Sequence, residues 1–190
     1  VEKKPELGGM LSNFEKNFVS MKPISNIIDK KIEQIETNEN IKVFTNSEVS
    51  EAIGFFGNFE IKVNRIDDET EPVNLNVGAI VVATGSDVFD PSKISKYGYK
   101  KLDNVLTSVE FEKMNKSGNI TLKNGKAPKS VAIIHCVGRE DKGYCSEICC
   151  LYSIKFARYL KDNISSVKVT NLYSDLCIPG KENQKFYEES

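Results

Sequence analysis

Residues 129–176 constrain the fold of this chain more than any other segment. A continuous apolar run, KSVAIIHCVG (129–138), precedes a helical pattern, SEICCLYSIKFARYLKD (146–162), and a further run, SVKVTNLYSDL (166–176). A continuous apolar run is typical of a strand buried on both faces, and a helix between two such strands makes a βαβ unit. The segment therefore predicts an α/β fold with a parallel sheet.

The first part of the chain predicts a helix and a small antiparallel sheet. From Pro23 onward, isoleucines recur at three- and four-residue steps, which indicates an amphipathic helix ending near residues 37–38. Residues 41–55 and 58–66 alternate apolar and polar side chains around glycines, as antiparallel strands do. The polar residues 66–74 indicate a surface turn.

Another apolar run and a long connector follow this sheet. The run VGAIVVATG (77–85) ends in glycine and predicts a central strand buried on both faces. Residues 86–128 carry turn signals and one short helical segment, TSVEFEKMN (107–115). We therefore expect residues 86–128 to form a connector with little regular structure.

Composition and charge exclude several classes of function. Of the 190 residues, 39% are apolar and 28% are charged, and the formal net charge is −1 with both signs interspersed. Such a chain has no charged surface that would attract nucleic acid or acidic lipid. No apolar run approaches the ~20 residues of a membrane span, and the start, VEKKPELGGM, is neither a signal nor a transit peptide. We expect a globular cytoplasmic fragment without a nucleic-acid or membrane partner.

Four of the five cysteines lie within fifteen residues of the predicted βαβ unit. They stand at the end of its first strand and at the start of its helix, which meet at one edge of a parallel sheet. Free N–H groups and the helix dipole favour thiolates at that point. Because the count is odd and the spacing local, a secreted disulfide framework is disfavoured. The four residues are Cys136, Cys145, Cys149 and Cys150.

The spacing alone leaves four interpretations of these thiols open. A cubane iron–sulfur cluster needs four thiolates and tolerates varied spacing. Structural zinc usually takes cysteines two to four residues apart, so adjacent Cys149 and Cys150 would be unusual zinc ligands. A redox-active thiol pair and inert buried cysteines remain, although the charged residues 139–142 disfavour an apolar core. Cys177 stands apart after the last strand, and we interpret it as structural or free.

Two other features have structural explanations. The only histidine, His135, lies at a strand end, where a structural role is more common than a role as general base. Lys155, Arg158 and Lys161 recur on one face of the predicted helix. We interpret that face as solvated, with a partner-docking surface as the lesser alternative.

Three weak signals for a dinucleotide site occur in the expected order. Glu2 would follow a strand, where an acidic side chain can accept hydrogen bonds from an adenosine ribose. Gly8 and Gly9 allow close approach of the backbone to a ligand, and Ala-Thr-Gly at 83–85 closes the apolar run. Each signal also fits a plain turn or an exposed side chain, so only the combination favours a cofactor.

Four segments together resemble the A-type subunit of heterodisulfide reductase, a thioredoxin-reductase-like flavoprotein. The segments are VEKKPELGGM, VGAIVVATG, YGYKKLDNVLTSVEFEKM and KSVAIIHCVGREDKGYCSEICCLYSIKFA. The resemblance implies an α/β fold with two dinucleotide-binding domains, here incomplete, and a small antiparallel sheet. Residues 1–110 would be a partial FAD-binding domain that includes the sheet at 41–66. Residues 111–128 would connect it to a partial NAD-like βαβ domain, 129–190, carrying the cysteines.

The resemblance also implies a function and its residues. The chain would belong to an oxidoreductase subunit that passes electrons between FAD and iron–sulfur clusters in a multi-subunit complex, in some members by flavin-based bifurcation. Its partners would be other heterodisulfide-reductase-type subunits and ferredoxin-like electron carriers. Four cysteines would ligate a [4Fe-4S] cluster: Cys136, Cys145, Cys149 and Cys150. Residues at the FAD would be Glu2 on the adenosine ribose, the adjacent Lys3, Gly8 and Gly9 on the flavin side, Val49 on the adenine, and Ala83, Thr84 and Gly85.

The sequence departs from this pattern in several places. The phosphate-binding loop GxGxxG does not precede Glu2, so we expect the isolated segment neither to retain FAD nor to be active. Met-Lys-Pro-Ile-Ser (21–25) stands where the resemblance leads us to expect a cysteine pair, the loop from Cys136 to Cys145 is short, and the chain ends before ferredoxin-like segments. The alternatives are a flavin-dependent disulfide reductase with a redox-active cysteine pair and a zinc-stabilised interaction domain.

Overall fold

The structure, a computed structural model, describes residues 1–67 and 70–190. The chain divides into two compact units: unit 1 comprises Val1–Ser12 and Ser25–Ser86, and unit 2 comprises Asn13–Ile24 and Asp87–Ser190. The predicted binding domains, 1–110 and 129–190 with their connector, stay a prediction. Among the described residues, no helix has the length and apolar character needed to cross a membrane.

Unit 1 contains one helix and a three-stranded antiparallel sheet. Helix α1 spans Ser25–Glu36, as the isoleucine pattern predicts. Strands β1 (Ser47–Phe55), β2 (Asn58–Arg65) and β3 (Val73–Val77) pair in chain order. The β1–β2 hairpin confirms the strands predicted from alternation, although residues 41–46 precede the first strand. Part of the predicted turn 66–74, residues 68 and 69, lies outside the described residues.

The predicted central strand at 77–85 is wrong. Val77 ends β3, and the residues after it have no regular secondary structure. Val81 is 89% exposed and Val82 is 79% exposed. An apolar run becomes a buried strand only where neighbouring strands supply hydrogen bonds and a helix or sheet covers its faces. Among the described residues, no strand pairs with residues 78–85.

Unit 2 contains the predicted βαβ arrangement. Strands β4 (Ser130–Ile134) and β5 (Lys168–Leu172) are parallel, with Ile134 opposite Leu172. The helices are α2 (Ser108–Lys116), α3 (Arg139–Lys142), α4 (Cys149–Asn163) and α5 (Lys181–Glu188). The α/β class is confirmed, whereas the architecture of two dinucleotide-binding domains stays a prediction.

Two details of unit 2 differ from the sequence predictions. Strand β4 is not buried on both faces, because its residues alternate between half-buried and exposed and the sheet has two described strands. The predicted short helix in the connector is confirmed as α2, which begins at a capping box formed by Thr107 and Glu110. The connector belongs to the core of unit 2, because Glu112 and Asn115 of α2 are buried.

The core of unit 2 lies along helix α4. Leu151 and Ile154 pack with Phe186 of α5. On another part of the same helix, the Phe156 ring meets that of Phe111 edge-on, with centroids 4.8 Å apart. Residues 13–24 also reach this core, with partly buried Phe18, Val19 and Met21. The helix that begins at the cysteines is therefore fixed along its length.

The predicted solvated face of α4 is wrong at Lys155. Its side chain is 1% exposed and forms an ion pair with Glu112 of α2. Arg158 is half-buried over the Phe186 ring, and Lys161 is exposed. Charge alone does not report which face of a helix is solvated when a neighbouring element supplies an opposite charge.

Candidate functional site

The candidate site lies at the edge of the β4–β5 sheet where both parallel strands end. Cys136 comes two residues after β4 and has a left-handed backbone, with φ of 57°. Cys149 and Cys150 are the first residues of α4, and Cys145 lies in the loop between α3 and α4. Because parallel strands end at the same edge, the loop after β5 also reaches this point.

Cys136 is held by hydrogen bonds that favour its thiolate. The backbone N–H groups of Ser174 and Asp175, and the guanidinium of Arg139, donate to its sulfur. Desolvation acts in the opposite direction, but these donors outweigh it and lower the pKa of the Cys136 thiol. Arg139 also forms an ion pair with Asp175, with 2.7 Å between Nη1 and Oδ2. This ion pair links the start of α3 to the loop after β5.

Cys150 is the buried sulfur of the site. It is 1% exposed, and its Sγ accepts a hydrogen bond from the backbone N–H of Cys177 at 3.4 Å. Burial raises the pKa of its thiol, and the nearby thiols of Cys149 and Cys136 raise it further. Burial and the charge of Cys149 also raise the pKa of Tyr152 to about 12. Negative charge on one sulfur therefore raises the pKa of neighbouring groups.

Cys177 does not stand apart, contrary to the sequence interpretation. Its backbone N–H donates to the Cys150 sulfur, and the thiols of Cys145 and Cys149 lie near its own. Burial and these neighbours raise the pKa of the Cys177 thiol. The signal for this placement was available in the sequence, because a residue just after the second parallel strand lies at the same edge as one just after the first.

The donor set fits a thiolate-bound metal or cluster in kind. All five cysteines are free thiols. Backbone N–H groups donate to the sulfurs of Cys136, Cys145 and Cys150, which is how proteins stabilise metal-bound thiolates. Within residues 1–67 and 70–190, however, no three His, Cys, Asp or Glu side chains have the arrangement of a metal site.

His135 is buried beside the candidate site. Its Nε2 lies 2.9 Å from Oδ1 of Asn171 on β5, and its backbone N–H donates to Leu172. The other ring nitrogen, Nδ1, is buried and has no hydrogen-bond partner in the described part of the chain. These contacts link β4 to β5, in agreement with a structural role.

In unit 1, the structure brings three of the predicted FAD-binding residues together. The Glu2 backbone hydrogen-bonds to Phe44 and Ser47, and the Lys3 ammonium lies 3.0 Å from the Glu48 carboxylate. Glu2 and Lys3 therefore lie beside the start of β1, where Val49 is partly exposed next to a β-bulge. The Glu2 carboxylate accepts a hydrogen bond from the Lys4 N–H at 2.9 Å.

The remaining predicted FAD-binding residues do not form a cradle in the described structure. The backbone of Gly8 packs on α1, where an added Cβ would lie 3.5 Å from the Ile28 side chain, whereas the space around Gly9 is open. Ala83, Thr84 and Gly85 are exposed and outside regular elements. FAD binding by these residues of unit 1 stays a prediction.

Comparison with known proteins gives a consistent result. The chain is 28% identical, over 273 aligned positions and its full length, to the A-type subunit of the H2:CoB-CoM heterodisulfide, ferredoxin reductase of Methanothermobacter thermautotrophicus. It is similar to the A-type subunit of heterodisulfide reductase along its whole length. The resemblance predicted from the sequence is confirmed.

Two more relatives of the same type extend this similarity. An A-type iron-sulfur subunit of the CoB–CoM heterodisulfide reductase of Methanopyrus kandleri is 28% identical over the whole chain, which covers 42% of that protein. The A-type subunit of the H2/formate:CoB-CoM heterodisulfide, ferredoxin reductase of Methanococcus maripaludis is 37% identical over 66% of the chain and 21% of the relative. The chain spans about two fifths of the length of the relatives that it matches throughout. No protein-family model matches it.

Proposed function

We propose that this chain is part of an electron-transfer oxidoreductase subunit like the A-type subunit of heterodisulfide reductase. Its cysteine site would hold a [4Fe-4S] cluster on Cys136, Cys145, Cys149 and Cys150. The observation that carries this proposal is the position of all four cysteines at the edge of the β4–β5 sheet where both strands end. The relative from Methanopyrus kandleri is named as an iron-sulfur subunit, which agrees with this cofactor.

The protein groups around the sulfurs have separate tasks in this proposal. A bound cluster would supply a one-electron carrier. Cys136 is suited to bind a metal, because two backbone N–H groups and Arg139 stabilise its thiolate in the metal-free protein. Cys150 places one ligand away from water, and the N–H of Cys177 compensates the burial of that sulfur. N–H donors and burial are the features by which a protein sets the potential of such a site.

The FAD residues remain part of the proposal for the longer protein. Glu2, Lys3 and Val49 would meet the adenosine end, since they lie together at the start of the small sheet. Gly8 and Gly9 would follow along the flavin side, and Ala83, Thr84 and Gly85 would line the cofactor. Partner subunits and ferredoxin-type electron carriers are proposed from the names of the relatives.

One observation favours a second candidate function, a thiol–disulfide reductase. The Cys145 thiol lies near enough to raise the pKa of the Cys177 thiol, so these two sulfurs could form a redox-active pair. This function would use two electrons per turnover and would need no metal. The zinc-stabilised interaction domain, by contrast, has no observation of its own beyond the thiol donor set.

An anaerobic absorption spectrum with metal analysis tests these functions against one another. After reconstitution with iron and sulfide, we expect a broad band near ~400 nm and about four irons and four sulfides per chain. Cys136→Ala should abolish both, whereas Ser166→Ala, at an exposed turn of the same unit, should change neither. Stoichiometric zinc without colour would support the interaction domain. A metal-free protein whose oxidised form takes up two electrons and two protons per disulfide would support the disulfide reductase.

A further inference from the structure

A short strap, Asn13–Ile24, belongs to unit 2, although the chain on both sides of it belongs to unit 1. Beyond Asn13 the strap has no helix or strand, only an isolated antiparallel bridge between Lys16 and Pro23. The backbone N–H of Asn17 donates to the carbonyl of Lys22 at 2.9 Å, which closes the strap into a hairpin. The strap is therefore a small connected piece whose position depends on the elements against which it packs.

Two side chains of α4 hold the strap at the backbone of Lys16. The Tyr159 hydroxyl accepts a hydrogen bond from the Lys16 N–H at 2.9 Å and donates to the Lys16 carbonyl at 3.3 Å. The Lys155 ammonium donates to the same carbonyl at 3.1 Å and lies 4.9 Å from the centre of the Phe14 ring. Lys155 is also paired with Glu112 of α2. The strap thus covers a surface that is charged and polar at its centre.

This surface makes detachment of the strap less costly than unfolding of unit 2. Burial removes water from an ammonium, a carboxylate and a phenol, and all three would regain hydration if the strap left. The apolar side chains of the strap that pack on unit 2 are only half-buried, so detachment exposes little additional apolar area: Phe18, Val19 and Met21. Segments with few buried apolar contacts open locally at a lower free energy than the whole domain.

The strap and the loop that carries Cys177 share one packing partner. Phe18, Val19 and Met21 of the strap pack on a cluster of buried side chains, and Ile178 packs on the same cluster. The cluster consists of Leu151, Ile154 and Phe186. Ile178 follows Cys177, whose N–H donates to the buried Cys150 sulfur at 3.4 Å. Removal of the strap would therefore uncover the cluster that holds this loop in place.

We propose that the strap is a reversible clasp on α4. It detaches as one piece while α4, β4 and β5 stay folded, and its detachment frees the loop that carries Cys177. The hydrogen bond from this loop to the Cys150 sulfur then breaks together with the contacts of the strap. The clasp does not depend on whether the cysteines bind a metal, so it can be tested separately from the proposed function.

Hydrogen exchange of individual amides, followed by nuclear magnetic resonance on the chain without added metal, tests the clasp. The Lys16 amide reports on the strap and the Cys177 amide on the loop, because each donates to α4. We expect both to be protected about 100-fold less than the amides of residues 154–160 in the middle of α4. Low concentrations of urea should accelerate the α4 amides far more than these two, since detachment exposes less surface than unfolding.

A matched pair of valine variants separates detachment from unfolding. Val19→Ala trims the strap and leaves its hydrogen bonds to α4 in place, so it should accelerate exchange at Lys16 and Cys177 by about fivefold. Val167→Ala trims a buried side chain at the opposite end of β5 from Cys177. It should accelerate the α4 amides about tenfold or more and leave Lys16 and Cys177 unchanged.

Tyr159→Phe tests the link between the strap and the loop. The hydroxyl that it removes bonds to Lys16, so a faster exchange at Cys177, by about fivefold, would report the loss of strap contacts. An unchanged rate at Cys177 would show that the strap does not hold the loop and would overturn the proposal. Equal protection of Lys16 and the α4 amides, with the same urea dependence in the unaltered chain, would also overturn it without the need for any variant.

Discussion

Lys155 of α4 and Glu112 of α2 form an ion pair in which both side chains are almost completely buried, 1% and 2% exposed. The Lys155 ammonium also donates to the carbonyl of Lys16 at 3.1 Å and lies 4.9 Å from the centre of the Phe14 ring. Desolvation raises the pKa of Glu112 and lowers that of Lys155. The pair joins three segments of unit 2 behind the cysteine-bearing end of α4.

Removing one partner of this pair should destabilise unit 2 strongly. Lys155→Met leaves a buried carboxylate without its cation, which typically costs about 3–5 kcal/mol. All seven tyrosines belong to unit 2, so tyrosine fluorescence during urea unfolding reports on that unit. The exposed Lys129→Met is the matched control and should change stability by less than about 0.5 kcal/mol. The double variant Lys155→Met/Glu112→Gln should be more stable than Lys155→Met alone. An equal loss of unfolding free energy in the two variants would contradict a stabilising role for the Lys155–Glu112 ion pair.

The stability of unit 2 should depend on the ionisation of Tyr152 at high pH. Its pKa is raised to about 12, against 10.0 in the unfolded chain. Between these values the folded state holds a proton that the unfolded state has lost, so stability falls as pH rises, by at most about 1.4 kcal/mol per pH unit. Tyr152→Phe should remove this share of the pH dependence of the free energy of unfolding, measured by urea unfolding at several pH values between 10 and 12. The exposed Tyr144→Phe should retain it, and identical slopes in both variants would refute the assignment.

Gly138 allows the loop after Cys136 to approach Phe89. Its φ is +84°, and an added Cβ would lie 2.6 Å from the Phe89 ring. Gly138→Ala should therefore cost about 1–2 kcal/mol for the left-handed backbone and about 1–3 kcal/mol for overpacking. Gly143→Ala, with φ of +77° and open space around it, should incur only the backbone cost. Thermal unfolding measures the difference, and equal midpoints would show that Phe89 moves away freely.

Arg139 should affect metal uptake more than stability. Its ion pair with Asp175 is partly exposed, and such pairs contribute about 0–1 kcal/mol. Loss of its hydrogen bond to Cys136 removes one of the groups that favour the thiolate. Arg139→Gln should therefore slow iron incorporation at limiting iron while the urea midpoint changes little. The exposed Lys142→Gln on the same short helix serves as control, and equal incorporation rates in the two variants would exclude this role.

Local sequence patterns predicted several elements of each unit and the position of four cysteines. The isoleucine period gave α1, alternation gave the β1–β2 hairpin, and strand, helix and strand in succession gave the β4–α4–β5 unit. These features depend on interactions between residues near in sequence or on a general rule of chain connection. The placement of Cys136, Cys149 and Cys150 at one sheet edge follows from the same rule.

Only the tertiary structure decided the features that depend on contacts between distant segments. Burial of Lys155 requires Glu112, which lies 43 residues earlier on another helix. Strand order puts Cys177 at the same sheet edge, but its hydrogen bond to the Cys150 sulfur depends on the course of the loop after β5. The run 77–85 has the composition of a buried strand, yet no described strand pairs with its residues 78–85. Periodicity records which side chains are apolar, whereas burial and pairing depend on which partners the fold brings close.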